Sequence, residues 1–383
     1  MERAELKKLV LGLGCAEECG GFIFLADPKW SPADRAAVAR LQEKAKRRRG
    51  KVDHGWLCIP TGGTSGSIKF ARHDERTLTA AVRGFCTHFD LARVNAVGVL
   101  PAHHVSGLMA RVRSAMTGGE HRASDWKRIE AGQRPLLPRL RGPWVISLVP
   151  TQLHRLLKSR SATNWLRGFK IIFLGGGPAW ASLLDDGARA KLRVSLSYGM
   201  TETAAMVTAL RPEEFLAGAR SSGSPLPHAR VTVTRGNVVR IAGESVFRGY
   251  FPSRKGGATF TTEDLGHIDA QGQLHLLGRR DAAIITGGKK VQPAVVEAAL
   301  RASGEFDDVG VIGLPDSEWG EVVVACFPAS GAKPNLKRAS ATLAAHLRPK
   351  RFVSVVDWPR NAQGKLNRAK LTAAASAALN PRG

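Results

Sequence analysis

The chain has 383 residues, of which 57 are lysine or arginine and 32 are aspartate or glutamate, so its formal net charge is +25. No run of about 18 apolar residues is present, which argues against a membrane span, and the N-terminus lacks the pattern of a signal peptide. We therefore expect a cytoplasmic protein whose five cysteines are reduced. Such a charge would attract a polyanion, either nucleic acid or a small one, but it also fits a solvated basic surface and alone decides nothing.

The first distinctive segment is an apolar strand, WLCIP, that runs into TGGTSGSIK at 61–69. In such a loop the backbone N–H groups and hydroxyls can converge on an anion, and Lys69 adds a positive charge. A Walker A motif requires Gly-Lys-Ser/Thr at its end, whereas here Ile68 precedes the lysine, which excludes that class. The alternative for this segment alone is a glycine turn that binds nothing.

Strand–turn–helix units follow in the middle of the chain. VISLVPTQLHRLLK predicts a strand and then a helix that begins at Pro-Thr, and KIIFLGGGPAW predicts a buried strand that ends in a glycine turn. RVSLSYGMTETAAMV predicts a strand, a glycine turn and the start of a helix. Units of this kind are typical of an α/β architecture.

The pattern changes after about residue 222. ARVTVTRGNVVRIAG and LGHIDAQGQLHLLGRRD predict two β-hairpins. PAVVEAALRAS then predicts a helix, DVGVIGL and GEVVVACF two strands, LKRASATLAAHL a helix, and RFVSVVDW a strand. This tail has the size of a small α+β domain, so we predict domains at 1–280 and 281–383.

The loop at 61–69 is followed, in order, by SYGMTE, TTEDLG, GRRDAAIITGGKKV and PRNAQGKLNR. These five motifs in this order resemble the adenylate-forming superfamily, which includes acyl-CoA synthetases, luciferases and the adenylation domains of peptide synthetases. The resemblance covers about residue 55 to the C-terminus. It implies a large α/β domain with a β-rich subdomain, and a small mobile α+β domain. Family members carry many more residues before the phosphate loop than the 60 present here, so we expect a shortened N-terminal part.

The resemblance also implies a reaction in two steps: a carboxylate attacks the α-phosphate of ATP, and the thiol of coenzyme A then displaces AMP. The loop at 61–69 would bind the β- and γ-phosphates, Thr201 would contact phosphate, and Glu202 would bind Mg²⁺. Asp264 would bind the ribose hydroxyls, and Arg279 the ribose and phosphate. Taken singly, the two acids also fit a dipole-stabilised helix start and a turn.

By the same resemblance, the adenine would lie between the glycines after KIIFL and Tyr198, and the glycines of ITGGKK would line the pantetheine tunnel. The residues implied in binding ATP and coenzyme A are Thr61, Gly62, Gly63, Thr64, Ser65, Gly66, Lys69, Gly175, Gly176, Gly177, Tyr198, Gly199, Asp264, Arg279, Gly287 and Gly288.

The resemblance places a hinge at Asp281 and a catalytic lysine, Lys365, on the mobile domain, where its ammonium would stabilise charge between carboxylate and α-phosphate. One departure concerns Glu263, which replaces the glycine usual before Asp264. The extra charge and the loss of backbone freedom would either disturb ribose binding or be harmless if the side chain points outward.

LPAHHVSGLMA and ISLVPTQLHRLL look most like the 2-succinylbenzoate–CoA ligases of menaquinone biosynthesis. His104 would then lie in the acyl pocket, although a lone histidine also fits a core position. With Thr201 and Lys365 it completes the predicted catalytic set. A dicarboxylate substrate would suit a basic pocket. We therefore predict a ligase that uses a small carboxylic acid, ATP, Mg²⁺ and coenzyme A, with a homodimer left open.

Two alternatives stay open from the sequence. In the first, the protein is an adenylate-forming enzyme that uses an acid other than 2-succinylbenzoate or passes the acyl group to a carrier protein. In another class, the basic run KAKRRRGK and Glu263 would fit a non-catalytic nucleic-acid-binding or regulatory protein on an adenylation fold.

Overall fold

The computed structural model describes residues 1–47, 54–61, 68–138, 142–253, 256–330, 334–360 and 366–379. Its α-helices are α1 Arg3–Leu11, α2 Pro32–Lys46, α3 Glu75–Phe89, α4 Val105–Met116, α5 Trp126–Glu130, α6 Pro150–Leu157, α7 Arg160–Leu166, α8 Ala181–Arg189, α9 Pro212–Leu216, α10 Pro293–Ala302, α11 Leu336–Ser340 and α12 Arg368–Leu379. No helix within these ranges is both long and apolar enough to cross a bilayer.

The strands form four sheets. They are β1 Ala16–Cys19, β2 Phe22–Leu25, β3 Leu57–Thr61, β4 Lys69–His73, β5 Asn95–Gly98, β6 His121–Ala123, β7 Trp144–Leu148, β8 Ile171–Leu174, β9 Val194–Met200, β10 Ala205–Ala209, β11 Ser224–Pro225, β12 Ala229–Val233, β13 Val238–Gly243, β14 Tyr250–Phe251, β15 Thr259–Ile268, β16 Leu274–Arg279, β17 Ile284–Thr286, β18 Lys289–Val291, β19 Gly310–Asp316, β20 Gly320–Pro328 and β21 Arg351–Val355.

A seven-stranded sheet in the order β11-β10-β9-β8-β7-β5-β6 forms the centre of the α/β part. Strands β5 to β9 run parallel, and helices α4, α6, α7 and α8 connect them. Ile146, Ile172 and Val194 on neighbouring strands are fully buried, as strands covered on both faces require. The predicted strand–helix unit at β7 and α6 and the buried strand β8 are thus confirmed.

The predicted helix after SYGMTE is wrong. Strand β9 continues to Met200, a single 3₁₀ turn covers Thr201–Thr203, and the chain returns antiparallel as β10. The reversal depends on Gly199, because a Cβ there would lie 1.9 Å from the carbonyl oxygen of Ala205. The apolar run AMV can therefore pair with β9 at short range, and this pairing outweighs its helix propensity.

A second sheet, β1-β2-β3-β4-β14, joins the N-terminal segment to the β3–β4 hairpin and to β14. On one side of it Phe22, Phe24, Phe70 and Phe251 are almost fully buried. Phe24 meets both Phe70 and Phe251 edge to face, with ring centres 5.1 and 5.2 Å apart. This aromatic packing fixes β14 beside the strands that flank the predicted phosphate loop.

The two predicted hairpins are confirmed in the sheet β12-β13-β15-β16, and the predicted tail strands form the last sheet, β18-β17-β20-β19, with β21 paired to β20. Three details of the tail differ from the sequence prediction. The β17–β18 hairpin was not predicted. Helix α11 ends at Ser340, earlier than predicted, and the alanine-rich helix α12 was not predicted. The five cysteines are free.

The segment that leads into β14 is anchored by an ion pair whose carboxylate is buried and whose arginine is partly exposed. Asp74 is fully buried at the start of α3, and its Oδ2 accepts a 2.8 Å hydrogen bond from Nε of Arg248. Burial opposes ionisation of this carboxyl, but hydrogen bonds from Arg248 and from the backbone of Thr77 outweigh it and lower the pKa of Asp74. The pair therefore holds Arg248, and with it the start of β14, against the neighbouring strand β4.

We expect Asp74→Asn to lower the free energy of unfolding by about 2 kcal/mol, because a charged hydrogen-bonded pair becomes a neutral one. The pKa of Asp74 in the folded protein lies below its ordinary value. The stabilisation that the ion pair provides is therefore complete above about pH 4 and is lost as the pH falls through the folded pKa. Urea unfolding at pH 7 and at lower pH measures both effects.

The matched control is Glu213→Gln, which removes the solvent-exposed pair between Glu213 and Arg193 and should change stability by less than about 0.5 kcal/mol. Equal stability losses in the two variants would contradict the anchoring role of Asp74.

Candidate active site

The β3–β4 hairpin brings the two ends of the predicted phosphate loop together. Thr61 ends β3 and Lys69 begins β4, and the two residues are cross-strand partners. The predicted binding residues between them, Gly62, Gly63, Thr64, Ser65 and Gly66, lie outside the described residues, as does Lys365.

Glu202 lies on the 3₁₀ turn after β9, with 9% of its surface exposed. Its Oε1 accepts a 2.6 Å hydrogen bond from the hydroxyl of Tyr250 on β14. Lys69 Nζ lies 5.8 Å from the centre of the same tyrosine ring. One aromatic side chain therefore contacts both the predicted metal ligand and the lysine of the predicted phosphate loop.

The backbone of this turn is held from two sides. Nε2 of His73, at the end of β4, lies 2.7 Å from the carbonyl oxygen of Thr201, and the N–H of Phe247 donates to the carbonyl of Glu202 at 2.9 Å. His73 is completely buried, and burial lowers its pKa to about 4. At neutral pH the ring is therefore neutral, and Nε2 carries the hydrogen that Thr201 accepts.

Asp264 lies at the centre of a second group on β15 and β16. Its Oδ2 accepts a 2.7 Å hydrogen bond from the hydroxyl of Tyr198, and its Oδ1 accepts one of 3.3 Å from Arg279. Arg279 also forms a bidentate pair with Asp281, with donor–acceptor distances of 2.8 and 2.7 Å. These contacts link the predicted adenine, ribose and hinge residues in one chain of hydrogen bonds.

The two groups lie close to each other. Burial raises the pKa of both tyrosines, and so do the carboxylates Asp264 beside Tyr198 and Glu202 beside Tyr250. Tyr198 lies on β9, four residues before Glu202, and the rings of Tyr198 and Tyr250 belong to the same apolar cluster. Lysine, carboxylates and arginine from four distant parts of the chain thus converge on one region.

Glu263 points away from this group. Its carboxylate forms two 2.8 Å hydrogen bonds with Arg280, and both side chains are largely exposed. The partners of Glu263 are therefore different from those of Asp264, which are Tyr198 and Arg279. The departure from the family pattern therefore leaves the contacts of Asp264 intact.

The remaining predicted residues lie at strand ends. The glycines of LGGGP directly follow β8, and Gly176 adopts a positive φ of 78°. Gly287 and Gly288 form the turn between β17 and β18 in the last sheet. The N–H of Gly287 donates a 3.0 Å hydrogen bond to the carbonyl oxygen of Trp319.

His104 precedes α4 after the end of β5. Its ring is largely buried, and burial together with the neighbouring His103 lowers its pKa to about 3.

Sequence reasoning missed Tyr250, His73 and Arg113. Tyr250 carried a usable signal, because the chain contains only two tyrosines and the other, Tyr198, was already assigned. His73 gave no motif signal. Arg113 was one of many basic residues, and only the structure shows that 3% of its surface is exposed.

Because both tyrosines donate to carboxylates, we expect no tyrosinate absorbance from the native protein at pH 10. The unfolded chain should be about half ionised at that pH. Absorbance at 295 nm, measured in buffer and in guanidinium chloride, distinguishes the two states. The Tyr250→Phe variant should halve the signal of the unfolded chain, and a native tyrosine that titrates at its ordinary pKa would contradict the hydrogen bonds described.

Comparison with known proteins identifies the family and the fold of this chain. Residues 13–251 match the family model of AMP-binding enzymes, and residues 295–365 match that of the AMP-binding enzyme C-terminal domain. The 2-succinylbenzoate–CoA ligase of Oceanobacillus iheyensis is 31% identical over 290 residues, which are 71% of this chain and 60% of that protein. The enzyme of the same name from Enterococcus faecalis is 31% identical over 326 residues, or 80% and 67% of the two chains.

Solved structures of similar fold include the o-succinylbenzoate CoA synthetase of Bacillus subtilis in complex with its acyl-adenylate intermediate. It has a TM-score of 0.71 and 25% identity, and the match covers 86% of this chain and 73% of that one. The same enzyme with ATP and a magnesium ion gives a TM-score of 0.69 at 26% identity, with 86% and 74% covered. This chain spans about 60 to 67% of the length of the two ligases compared by sequence. It belongs to the AMP-binding enzyme family and has the fold of the adenylate-forming enzymes.

Proposed function

We propose that this protein is an ATP-dependent acid–CoA ligase that converts 2-succinylbenzoate into its CoA thioester through an acyl-adenylate. The observation that carries the proposal is the convergence of Lys69, Tyr250 and Glu202 with Tyr198, Asp264 and Arg279. The names of the similar ligases and of the structure with an acyl-adenylate support this choice of reaction and acid.

The first step brings a carboxylate to a triphosphate, so the protein must neutralise charge before and during attack. Lys69 supplies a cation at the first residue of β4, where the β3–β4 hairpin holds the ends of the predicted phosphate loop together. Glu202 fits a Mg²⁺ ligand, because Tyr250 fixes its Oε1 while its Oε2 has no hydrogen-bond partner among the described residues. A bound Mg²⁺ would neutralise phosphate charge.

Asp264 fits the role of ribose ligand, because Tyr198 and Arg279 fix both of its oxygens in place while each oxygen can still accept a further hydrogen bond. Tyr198 in turn stays protonated at neutral pH, since burial and Asp264 raise its pKa. The aromatic ring is therefore a neutral surface on which adenine can stack.

We also propose that the division at residues 280 and 281 separates a mobile C-terminal domain that carries Lys365 into the site for adenylation. After rotation, the turn with Gly287 and Gly288 would line the path of coenzyme A. Two contacts between the parts would have to break on rotation. Lys158 and Asp307 form a 2.9 Å pair that is mostly exposed and therefore weak, and the guanidinium of Arg301 lies 5.5 Å from the centre of the Trp180 ring.

The second carboxylate of the acid requires a cation, and we propose Arg113 on α4 for this role. Its side chain is nearly fully buried, and neither Nε nor Nη2 has a hydrogen-bond partner among the described residues. Its guanidinium lies 4.1 Å from the centre of the Phe85 ring. Burial lowers its pKa only to about 10, so it is charged at neutral pH.

Arg113 lies on helix α4, nine residues after His104, the predicted pocket histidine. The helix begins directly after His104 and packs against β10. On β10, Met206 is the cross-strand partner of Gly199. A buried guanidinium with two nitrogens that lack partners among the described residues is costly, and a substrate carboxylate would offset that cost.

The direct test is a panel of acids with ATP and Mg²⁺, with and without coenzyme A. Pyrophosphate release should require 2-succinylbenzoate, and the thioester should form only when coenzyme A is present. Lys365→Ala should abolish most adenylate formation while leaving thioester formation from supplied adenylate largely intact. The exposed control Lys370→Ala should change neither step.

The other outcomes identify the alternatives. Acid-dependent pyrophosphate release without CoA transfer would favour a carrier-protein route, and release with a different acid would reassign the substrate. Tight binding of random DNA at about 0.15 M salt with no adenylate from any acid would contradict an enzyme.

Arg113→Met should raise the KM for 2-succinylbenzoate about 10- to 100-fold, the range expected for loss of hydrogen bonds to a charged group. The KM for an analogue with a single carboxylate should stay within about twofold of its wild-type value, since that acid makes no such bond. Steady-state kinetics with both acids measures the difference.

The matched control is Arg83→Met, which removes an exposed arginine from the neighbouring helix α3. Equal losses for both acids in Arg113→Met would show a structural role for Arg113 instead of a contact with the second carboxylate.

A further inference from the structure

Three side chains of metal-ligand type meet at the entrance to α4. Asp27 follows β2 in the N-terminal segment, and His103 and His104 lie between β5 and α4. Each offers one ligand atom, and the three atoms lie within 4.8 Å of one another. The two imidazole rings are 4.3 Å apart between centres, and Nε2 of His103 lies 3.4 Å from Oδ2 of Asp27.

One nitrogen of each histidine in this cluster is buried without a well-formed hydrogen bond. Nε2 of His104 has no partner among the described residues, and Nε2 of His103 has only the 3.4 Å contact with Asp27 there. Only 5% of the surface of His103 is exposed, so water cannot freely replace the missing partner. Buried polar atoms without partners are rare in folded proteins and call for a ligand or a bound ion.

We propose that Asp27, His103 and His104 form a binding site for a divalent transition-metal ion, with Zn²⁺ as the best match. Two imidazole nitrogens and one carboxylate oxygen are ligands that Zn²⁺ accepts, whereas Ca²⁺ and Mg²⁺ require oxygen ligands. Zinc–nitrogen bonds are about 2.0–2.1 Å long, so small rotations of the three side chains must close the cluster on binding. Three protein ligands leave one position open.

The surroundings of Asp27 favour a fixed carboxylate. Its Oδ1 accepts a 2.9 Å hydrogen bond from the backbone N–H of Lys29, which leaves Oδ2 directed at His103. Hydrogen bonds of this kind orient metal ligands and strengthen binding. The ammonium of Lys29 adds a nearby positive charge, and the site must bind the metal ion against it.

A bound ion would join two segments that are distant in sequence. Asp27 belongs to the N-terminal segment of the β1–β4 sheet, and the histidines belong to the central α/β sheet. The ion would therefore stabilise the packing of the first 30 or so residues on the rest of the protein. Because His104 is also the predicted pocket histidine, the ion would lie beside the proposed acid pocket. Metal binding is measurable without ATP or an acid, so its failure and the failure of the proposed function are distinguishable.

The test is calorimetric titration of the chelator-treated, dialysed full-length protein with Zn²⁺ in the absence of nucleotide. We expect one equivalent to bind with a dissociation constant of about 1 µM or below. Asp27→Asn, which keeps the shape and the hydrogen bond from Lys29, should weaken binding at least about 10-fold, as should His103→Gln. Zn²⁺ should raise the Tm of the wild-type protein and not that of either variant.

The matched control is His275→Gln on the exposed β15–β16 hairpin. His275 stacks on His267 with ring centres 4.8 Å apart and lies 2.7 Å from Asp269, so it belongs to a second group of two histidines and one aspartate. The ligand atoms of that group do not all lie within 4.8 Å of one another, so the loss of the His275 imidazole should leave Zn²⁺ affinity unchanged.

Two results would overturn the proposal. One is the absence of saturable Zn²⁺ binding below about 100 µM. The other is Zn²⁺ binding that Asp27→Asn and His103→Gln leave intact, or that His275→Gln weakens to the same extent.

Discussion

The hydrogen bond between the phenol of Tyr250 and the carboxylate of Glu202 is the contact on which the candidate active site depends. It joins a strand near the end of the large α/β part to the turn after the central strand β9. Without it, the carboxylate of a side chain that is only 9% exposed would lose its hydrogen-bond donor, which costs free energy in a buried site. The tyrosine thus fixes the position of Glu202 beside Lys69.

This contact is held in place by the structure on both sides. The ion pair of Arg248 with Asp74 and the aromatic packing of Phe251 fix the strand that carries Tyr250. Hydrogen bonds from His73 and Phe247 fix the turn that carries Glu202. The supporting residues touch no predicted ligand, yet they determine where the ligand-binding side chains lie.

The sequence predicted the fold class and the order of most elements, because strands with apolar runs and turns with glycine have clear local signatures. It did not predict β10, since the close approach of Gly199 to Ala205 is a tertiary contact that no local pattern reveals. It missed α12, whose alanine-rich sequence carries no amphipathic pattern.

For the site, the motifs identified Glu202, Asp264 and Arg279 as candidates, and the structure brings these residues together. The partners of these residues could not be predicted, because Tyr250 and His73 are distant in sequence from the groups they contact. The same holds for Arg113 and for the cluster of Asp27 with two histidines. These residues differ from many others of the same type only in being buried, and burial is known only once the chain is folded.

The central claim is that distant residues surround a single ATP molecule next to the only two tyrosines of the chain. Fluorine NMR of protein labelled with 3-fluorotyrosine tests it most directly, since two resonances are expected and Tyr→Phe variants assign them. We predict that saturating ATP with Mg²⁺ shifts both resonances. Two resonances that stay unchanged, while ATP binding is established independently by calorimetry, would contradict the account.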